Sequence, residues 1–231
     1  WVHQASALQD AVPPTPSTEP KDRSLLVFAA NADNRSILMQ RMAQQLAGRG
    51  NIISTTPLAF FEQEVLLFWP LVIQQLQLKG YFPSRLRPET EQALALKLWG
   101  QESISRLQAF EVASVYRWMR RILDLIHWAA SSGTPLTQIA PRLKAGFSIL
   151  SLPDGLAELV QQLALQWQNW CLTRGLLTYG LMTDLFWQYL LPHPTYRHQL
   201  SQRFSAIAAD DIDNYPAIMR SLFEQFLERG M

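Results

Sequence analysis

Asp210, Asp211 and Asp213 place three carboxylates within four residues. Asn214 follows and can cap a helix, and Pro216 suits that helix's first turn. Ile218, Leu222 and Phe226 would give the helix one apolar stripe, and Gly230 can end it. Before the acids, Phe204 to Ala209 has the length and uniformity of a strand buried on both faces of a parallel sheet. Ligands of an open parallel sheet sit off the carboxyl ends of its strands, where these aspartates would lie. Clustered acids there suit a magnesium ion bound to phosphates. The plainer reading is that Asp and Asn only start a helix, where they favour the positive end of its dipole. Spacing alone favours the plainer reading.

A sheet must exist for the acids to stand at its edge. Ser24 to Ala30 reads as a buried strand, followed by a turn and cap at Asn31-Ala32-Asp33-Asn34 and a helix from about Arg35 to Leu46. Asn51 to Thr56 is a second short strand, closed by Pro57. Strand, helix, strand at this spacing predicts a βαβ unit with a parallel sheet. Upstream, Trp1 to Asp10 reads as one or two helical turns, and the proline-rich Ala11 to Pro20 as a loop.

From Leu58 the pattern turns helical. Helices are expected over Ala59 to Leu78, Pro88 to about Trp99, Ser103 to Ala130, Leu156 to Arg174 and Gly175 to Leu191, the last stopped by Pro192 and Pro194. The fold class is therefore α/β: a partial parallel sheet interrupted by a large all-helical insertion, mostly helical by residue count.

Composition bounds the function. At 231 residues with 48% hydrophobic and 17% charged side chains, the chain has material for a large core. A net charge of +1 means that any nucleic-acid surface must be local. Cys171 is the only cysteine, which excludes an internal disulfide and a cysteine-built metal site and fits a reducing, cytoplasmic location. His3, His127, His193 and His198 lack metal-ligand spacing and read as structural or surface residues. No apolar run is long enough for a membrane helix, so no membrane partner is expected. The first residue is Trp1 rather than Met, so the chain is expected to be a piece of a longer protein.

Several stretches together resemble the first motor domain of the UvrD/Rep-like superfamily-one helicases, including helicase-like subunits of RecB/AddB type. They are Gly175-Leu176-Leu177-Thr178-Tyr179-Gly180-Leu181, Tyr189-Leu190-Leu191, Leu200 to Phe204, and Ile207-Ala208-Ala209-Asp210-Asp211-Ile212-Asp213-Asn214-Tyr215-Pro216. The family's motif II reads Val-Asp-Glu-x-Gln-Asp, closely followed by proline and a helix. Leu26 to Asn31, with Arg35 and Arg41, looks like motif Ia, and Ile53-Ser54-Thr55-Thr56 like motif Ib. The family also inserts a helical subdomain between these two motifs and motif II, as here.

The resemblance implies a partial RecA-like motor domain over 1–78 and 172–231, with a helical insertion over 79–171. It implies an ATP-dependent DNA translocase in the intact protein, with ATP and Mg2+ as cofactors. Single-stranded or partly duplex DNA would be the partner, and a nuclease subunit a further one. Asp210 would hold magnesium through water, and Asp211 stands where the family keeps the glutamate that activates the attacking water. Asp213 and Asn214 would couple nucleotide state to a second motor domain. Asn31, Thr55 and Thr56 would face the single strand, and Phe61 would be a stacking candidate beside it, with core packing the favoured role.

The departures are specific. Aspartate at 211 is one methylene shorter than glutamate, and a misplacement of about 1 Å can cost roughly a hundredfold in rate. Alanines at 29 and 30 remove the hydroxyl often found in motif Ia. No lysine stands in a Gly-Lys-Ser/Thr sequence, so this chain alone lacks the phosphate cradle and is expected not to turn over ATP. The alternative is a catalytically inactive helicase-like scaffold that binds DNA or a nuclease partner. Arg117, Arg120 and Arg121 beside Trp118 could grip a nucleic-acid backbone, but pairing with Glu111 and Asp124 on a solvated helix face is the favoured reading. Trp99, Trp118, Trp128, Trp167, Trp170 and Trp187 read as helix-packing residues.

Overall fold

The structure, a computed structural model, describes residues 23–46, 50–80, 82–110, 114–146 and 152–228. The expectations for Trp1 to Pro20, for Glu111 and for Gly230 lie outside the described residues. In chain order the elements are β1 (Ser24–Phe28), α1 (Ala32–Leu46), β2 (Ile52–Thr55), α2 (Pro57–Leu67), α3 (Trp69–Leu76), β3 (Ser84–Arg85), α4 (Pro88–Phe110) and α5 (Val115–Ser131). They continue with α6 (Ile139–Gly146), α7 (Leu156–Leu172), β4 (Leu176–Leu177), α8 (Tyr179–Leu185), α9 (Pro194–Arg203), β5 (Phe204–Ala209) and α10 (Met219–Leu227). A π turn, Phe186–Leu190, extends α8. The chain is thus mixed α/β and mostly helical.

Three strands form one parallel sheet in the order β2-β1-β5. The central position of β1 explains its composition: Leu26, Val27 and Phe28 are buried although their side chains alternate between the two faces. β5 is an edge of this sheet and does not match the expectation of burial on both faces. Phe204 is buried, but Ser205, Ala208 and Ala209 are exposed. Small side chains remove too little apolar surface from water to require a cover there. β3 and β4 make a separate two-stranded parallel pair.

Several expected helices divide where backbone chemistry requires it. The stretch from Ala59 to Leu78 breaks at Phe68 (φ −102°, ψ 21°), because Pro70 in the first turn of α3 has no N–H to give to a continuous helix. The helix begun at Pro88 runs past Trp99 to Phe110, with a non-helical Gly100 (φ 65°, ψ 173°) inside it. The single helix expected over Ser103 to Ala130 is therefore two, and Ser114 caps the second by accepting from Arg117 N–H. Leu176 and Leu177 leave the expected Gly175 to Leu191 helix to pair with β3. Pro194 starts α9 rather than only stopping what precedes it, and His193 Nδ1 caps that helix by accepting from Thr195 N–H at 3.2 Å.

Buried apolar residues gather in two clusters. One contains Leu26, Phe28, Phe60, Phe61, Phe186, Phe204, Leu222 and Phe226. The other contains Trp99, Leu107, Met119, Ile122, Ile126, Leu163 and Trp167. α8 serves both, since Met182 and Leu185 join the first and Leu181 the second. It can do so because Gly180 lies against α5: a Cβ there would stand 3.1 Å from His127 Cα and 3.2 Å from its N. Of the tryptophans, Trp99, Trp118 and Trp167 are buried, while Trp128 is 63% exposed and does not pack as expected.

One charged network is buried within the first cluster's walls. Glu64 on α2 is 2% exposed and accepts from both terminal nitrogens of Arg203 at 2.7 Å each. Tyr196 on α9 donates to Glu64 Oε2 at 2.9 Å. Burial and the Glu64 charge hold the Tyr196 phenol well above its usual range, so it remains a donor. The Arg203 guanidinium also stands 4.9 Å from the centre of the Phe204 ring. Helix α2, which follows β2, is thereby tied to the start of β5.

Candidate site at the carboxyl edge of the sheet and its adjoining cleft

Because the three strands are parallel, the residues following each of them emerge on one edge. Asn31 follows β1, Thr55 and Thr56 end and follow β2, and Asp210 and Asp211 follow β5. The sheet order makes the Asn31 strand the neighbour of both others. Asp210 N–H donates to Phe28 O at 3.1 Å, which holds the first aspartate directly beside the end of β1.

Each residue's local role is visible. Asn31 is exposed and caps α1, its Oδ1 accepting from Asn34 N–H at 2.8 Å. Thr55 is 3% exposed, and its hydroxyl donates to the Thr56 carbonyl at 3.2 Å, so its side chain turns inward. Thr56 is half-buried and caps α2 by accepting from Ala59 N–H at 3.4 Å. Phe61 does not face the DNA: it is fully buried, as its favoured packing role requires, and stacks on Phe186 with ring centres 4.6 Å apart, which leaves no face for a base.

The acids are exposed, and their backbone is not helical. Asp211 adopts a left-handed conformation (φ 60°, ψ 48°) and accepts from Asn214 N–H at 3.2 Å. Asp213 and Asn214 fall in a 3-10 turn, Ile212–Asn214, and α10 begins only at Met219. Asn214 therefore does not cap that helix and Pro216 is not in its first turn, although Ile218, Leu222 and Phe226 are buried as the stripe predicts. Tyr215 donates from its hydroxyl to the Asp210 carbonyl at 2.6 Å. Burial, reinforced by the charges of Asp210 and Asp211, pushes its phenol up to about 12, so it stays protonated.

No group of three or more His, Cys, Asp or Glu side chains converges on a metal position among the described residues. Asp210 presents one exposed carboxylate at a strand's carboxyl end. One such carboxylate is too little to hold a magnesium ion without other ligands.

Thr56 also opens onto a cleft of about 550 Å³ between α2, α4, α5 and α8. Arg85 reaches across it to Glu62 at 2.9 Å, and its guanidinium lies 4.5 Å from the centre of the Tyr179 ring. Arg120 Nε donates to both carboxylate oxygens of Asp124 at 3.1 Å, the pairing expected for it. Glu91 lies half-buried in the wall. Burial first, and then the Asp124 charge, raise its carboxyl to about 7 against the opposing pull of Arg120 and Trp167. Burial lowers the His127 imidazole, with Asp124 acting in the other direction. Of the groups lining this cleft, Glu91 is the one held near neutrality.

Sequence reasoning did not assemble this cleft. Its one usable signal was Tyr179-Gly180, a small residue beside an aromatic, which lets α8 approach α5. No family model and no curated protein matches this chain. No helix among the described residues is long and apolar enough to cross a membrane.

Proposed function

We propose that this chain is part of the first motor domain of a UvrD/Rep-like superfamily-one DNA helicase, with a RecA-like sheet. In the intact protein it binds single-stranded or partly duplex DNA in a nucleotide-dependent way. The observation that carries this reading is the gathering of Asn31, Thr55-Thr56 and Asp210-Asp211 on one edge of a parallel sheet ordered β2-β1-β5. Asn31 and Thr56 lie toward the strand. Asp210 meets the magnesium that accompanies ATP, and Asp211 faces the attacking water. Asp213 and Asn214, exposed on the following turn, are the groups a second motor domain reaches.

One observation favours a second reading, a catalytically inactive scaffold that binds DNA or a nuclease partner. Asp211 is both a methylene shorter than the family's glutamate and held in a left-handed turn. Both features displace its carboxylate from the position a strand-continuing glutamate would take.

Binding of fluorescent single-stranded oligonucleotides across a salt series tests the DNA half. Affinity should fall steeply with salt, and Asn31→Ala should weaken it. DNA-stimulated ATP hydrolysis by the longest protein containing this chain, with and without Asp210→Ala, separates the readings. Turnover lost in the variant supports the motor. DNA binding without turnover in either protein supports the scaffold. Absence of salt-dependent DNA binding refutes the motor and the DNA-binding form of the scaffold.

A further inference from the structure

The cleft beside Thr56 has a chemistry of its own, different from that of a phosphate site. Its charged lining comprises Glu62, Glu91 and Asp124 against Arg85 and Arg120, and each arginine is already paired with a carboxylate. Phosphate would have to displace those partners and then face the remaining acids. A neutral heterocycle would not. The stacked Arg85 and Tyr179 offer a planar, polarizable platform of the type on which unpaired bases rest. His127, also in the lining, has a buried Nδ1 without a hydrogen-bond partner among the described residues. Thr56 lies at once in this lining and at the carboxyl edge, so a strand crossing that edge passes the cleft.

We propose that the cleft receives a base turned out of the single strand, stacked on the Arg85–Tyr179 platform and read along its edge by Glu91. The inference rests on the single-strand reading above and adds base selectivity to it. A protonated Glu91 presents an O–H donor beside a carbonyl acceptor, which can pair with an adjacent donor and acceptor on any of the four bases and so selects none of them. An ionised Glu91 presents two acceptors, which match the N1–H and amino group of guanine. The groups facing Glu91 set where it switches. Arg120, Asp124 and His127 come from α5, Trp167 and Cys171 from α7, and the Glu62–Arg85 pair closes the far side.

The test measures binding of thymidine oligomers carrying a few adenine, cytosine or guanine substitutions, about one pH unit below and above neutrality. The parent chain should discriminate little among the bases at the lower pH and should prefer guanine by at least about fivefold over thymine at the higher. Glu91→Gln fixes the donor–acceptor pattern, so the guanine preference at the higher pH should disappear while the salt dependence is unchanged. Tyr179→Ala should flatten the discrimination at the higher pH and abolish quenching of a 2-aminopurine reporter placed in the strand at either pH. Salt-dependent binding with equal affinity for all oligomers at both pH values overturns the base-reading cleft and leaves the single-strand reading standing. No salt-dependent binding to any oligomer overturns both.

Discussion

Replacing Arg203 by methionine removes two of the three hydrogen bonds at Glu64 and leaves its carboxylate, 2% exposed, with only the Tyr196 hydroxyl. Breaking a fully buried ion pair in this way costs about 3–5 kcal/mol. Here the Arg203 side chain is 32% exposed, so water enters part of the vacated space and the expected cost drops to about 2–3 kcal/mol. The converse change should cost less. Glu64→Gln keeps an acceptor for Tyr196 and leaves a guanidinium that reaches solvent, which predicts about 1–2 kcal/mol. The two substitutions share one interaction, so the double variant should be less destabilised than the sum of the singles. Urea unfolding followed by tryptophan fluorescence reads all three. With a slope of about 2–3 kcal/mol per molar, Arg203→Met should lower the midpoint by roughly 1 M. The reasoning is refuted if Arg203→Met unfolds within about 0.5 kcal/mol of the parent chain, or if Glu64→Gln is the more damaging of the two.

Gly180→Ala brings a methyl within 3.1 Å of the His127 backbone, so α8 must lift from α5. The expected loss is about 1–3 kcal/mol, seen as a lower thermal midpoint. Tyr215→Phe deletes the 2.6 Å bond to the Asp210 carbonyl and should cost about 1 kcal/mol, with the acidic turn's amide protons exchanging faster. Glu91 has a folded pKa near 7, above its usual value of 4.5, because burial penalises the carboxylate. The native state therefore holds the proton more tightly, and the associated stability is complete below that usual value and lost as pH rises through 7. Glu91→Gln should accordingly raise the thermal midpoint relative to the parent at about pH 8 and change it little at about pH 4. A variant that loses stability equally at both pH values would place Glu91 in an interaction other than this one.

The βαβ start and the strand before the acids were legible because each is a short apolar run bounded by turn chemistry: Asn31 after β1, Pro57 after β2 and Asp210 after β5. Their order in the sheet was not. No pattern within Ser24–Phe28 states that β1 lies between strands that follow it by some 25 and 180 residues, because parallel neighbours are chosen by tertiary packing. Proline misled where it serves two purposes: Pro194 begins α9 as readily as it ends what came before. Phe61 misled because proximity in sequence to Thr56 does not determine which face of a helix a side chain occupies. It lies five positions beyond Thr56 on α2 and points into the aromatic cluster, while Ala59 and Glu62 line the cleft.

The cleft escaped sequence reading for a related reason. Glu62, Arg85, Glu91, Asp124 and Tyr179 come from five elements, and each taken alone looks like a solvated position of an ordinary helix or loop. Arg120 and Asp124 form the surface pair that their spacing predicts, yet the same pair becomes the wall of a partly buried site once α4 and α8 close around it. What changes its meaning is desolvation. A carboxylate at Glu91 is ordinary in water and is raised to about 7 here chiefly by burial, with the Asp124 charge adding to it. Beside this cleft, the absence of one carbon at Gly180 lets α8 rest on the His127 backbone. The proposed base selectivity would therefore depend on a packing residue with no polar group of its own. Gly180→Ala should consequently weaken base discrimination as well as stability, and loss of stability with discrimination intact would separate the cleft from the helix contact that builds it.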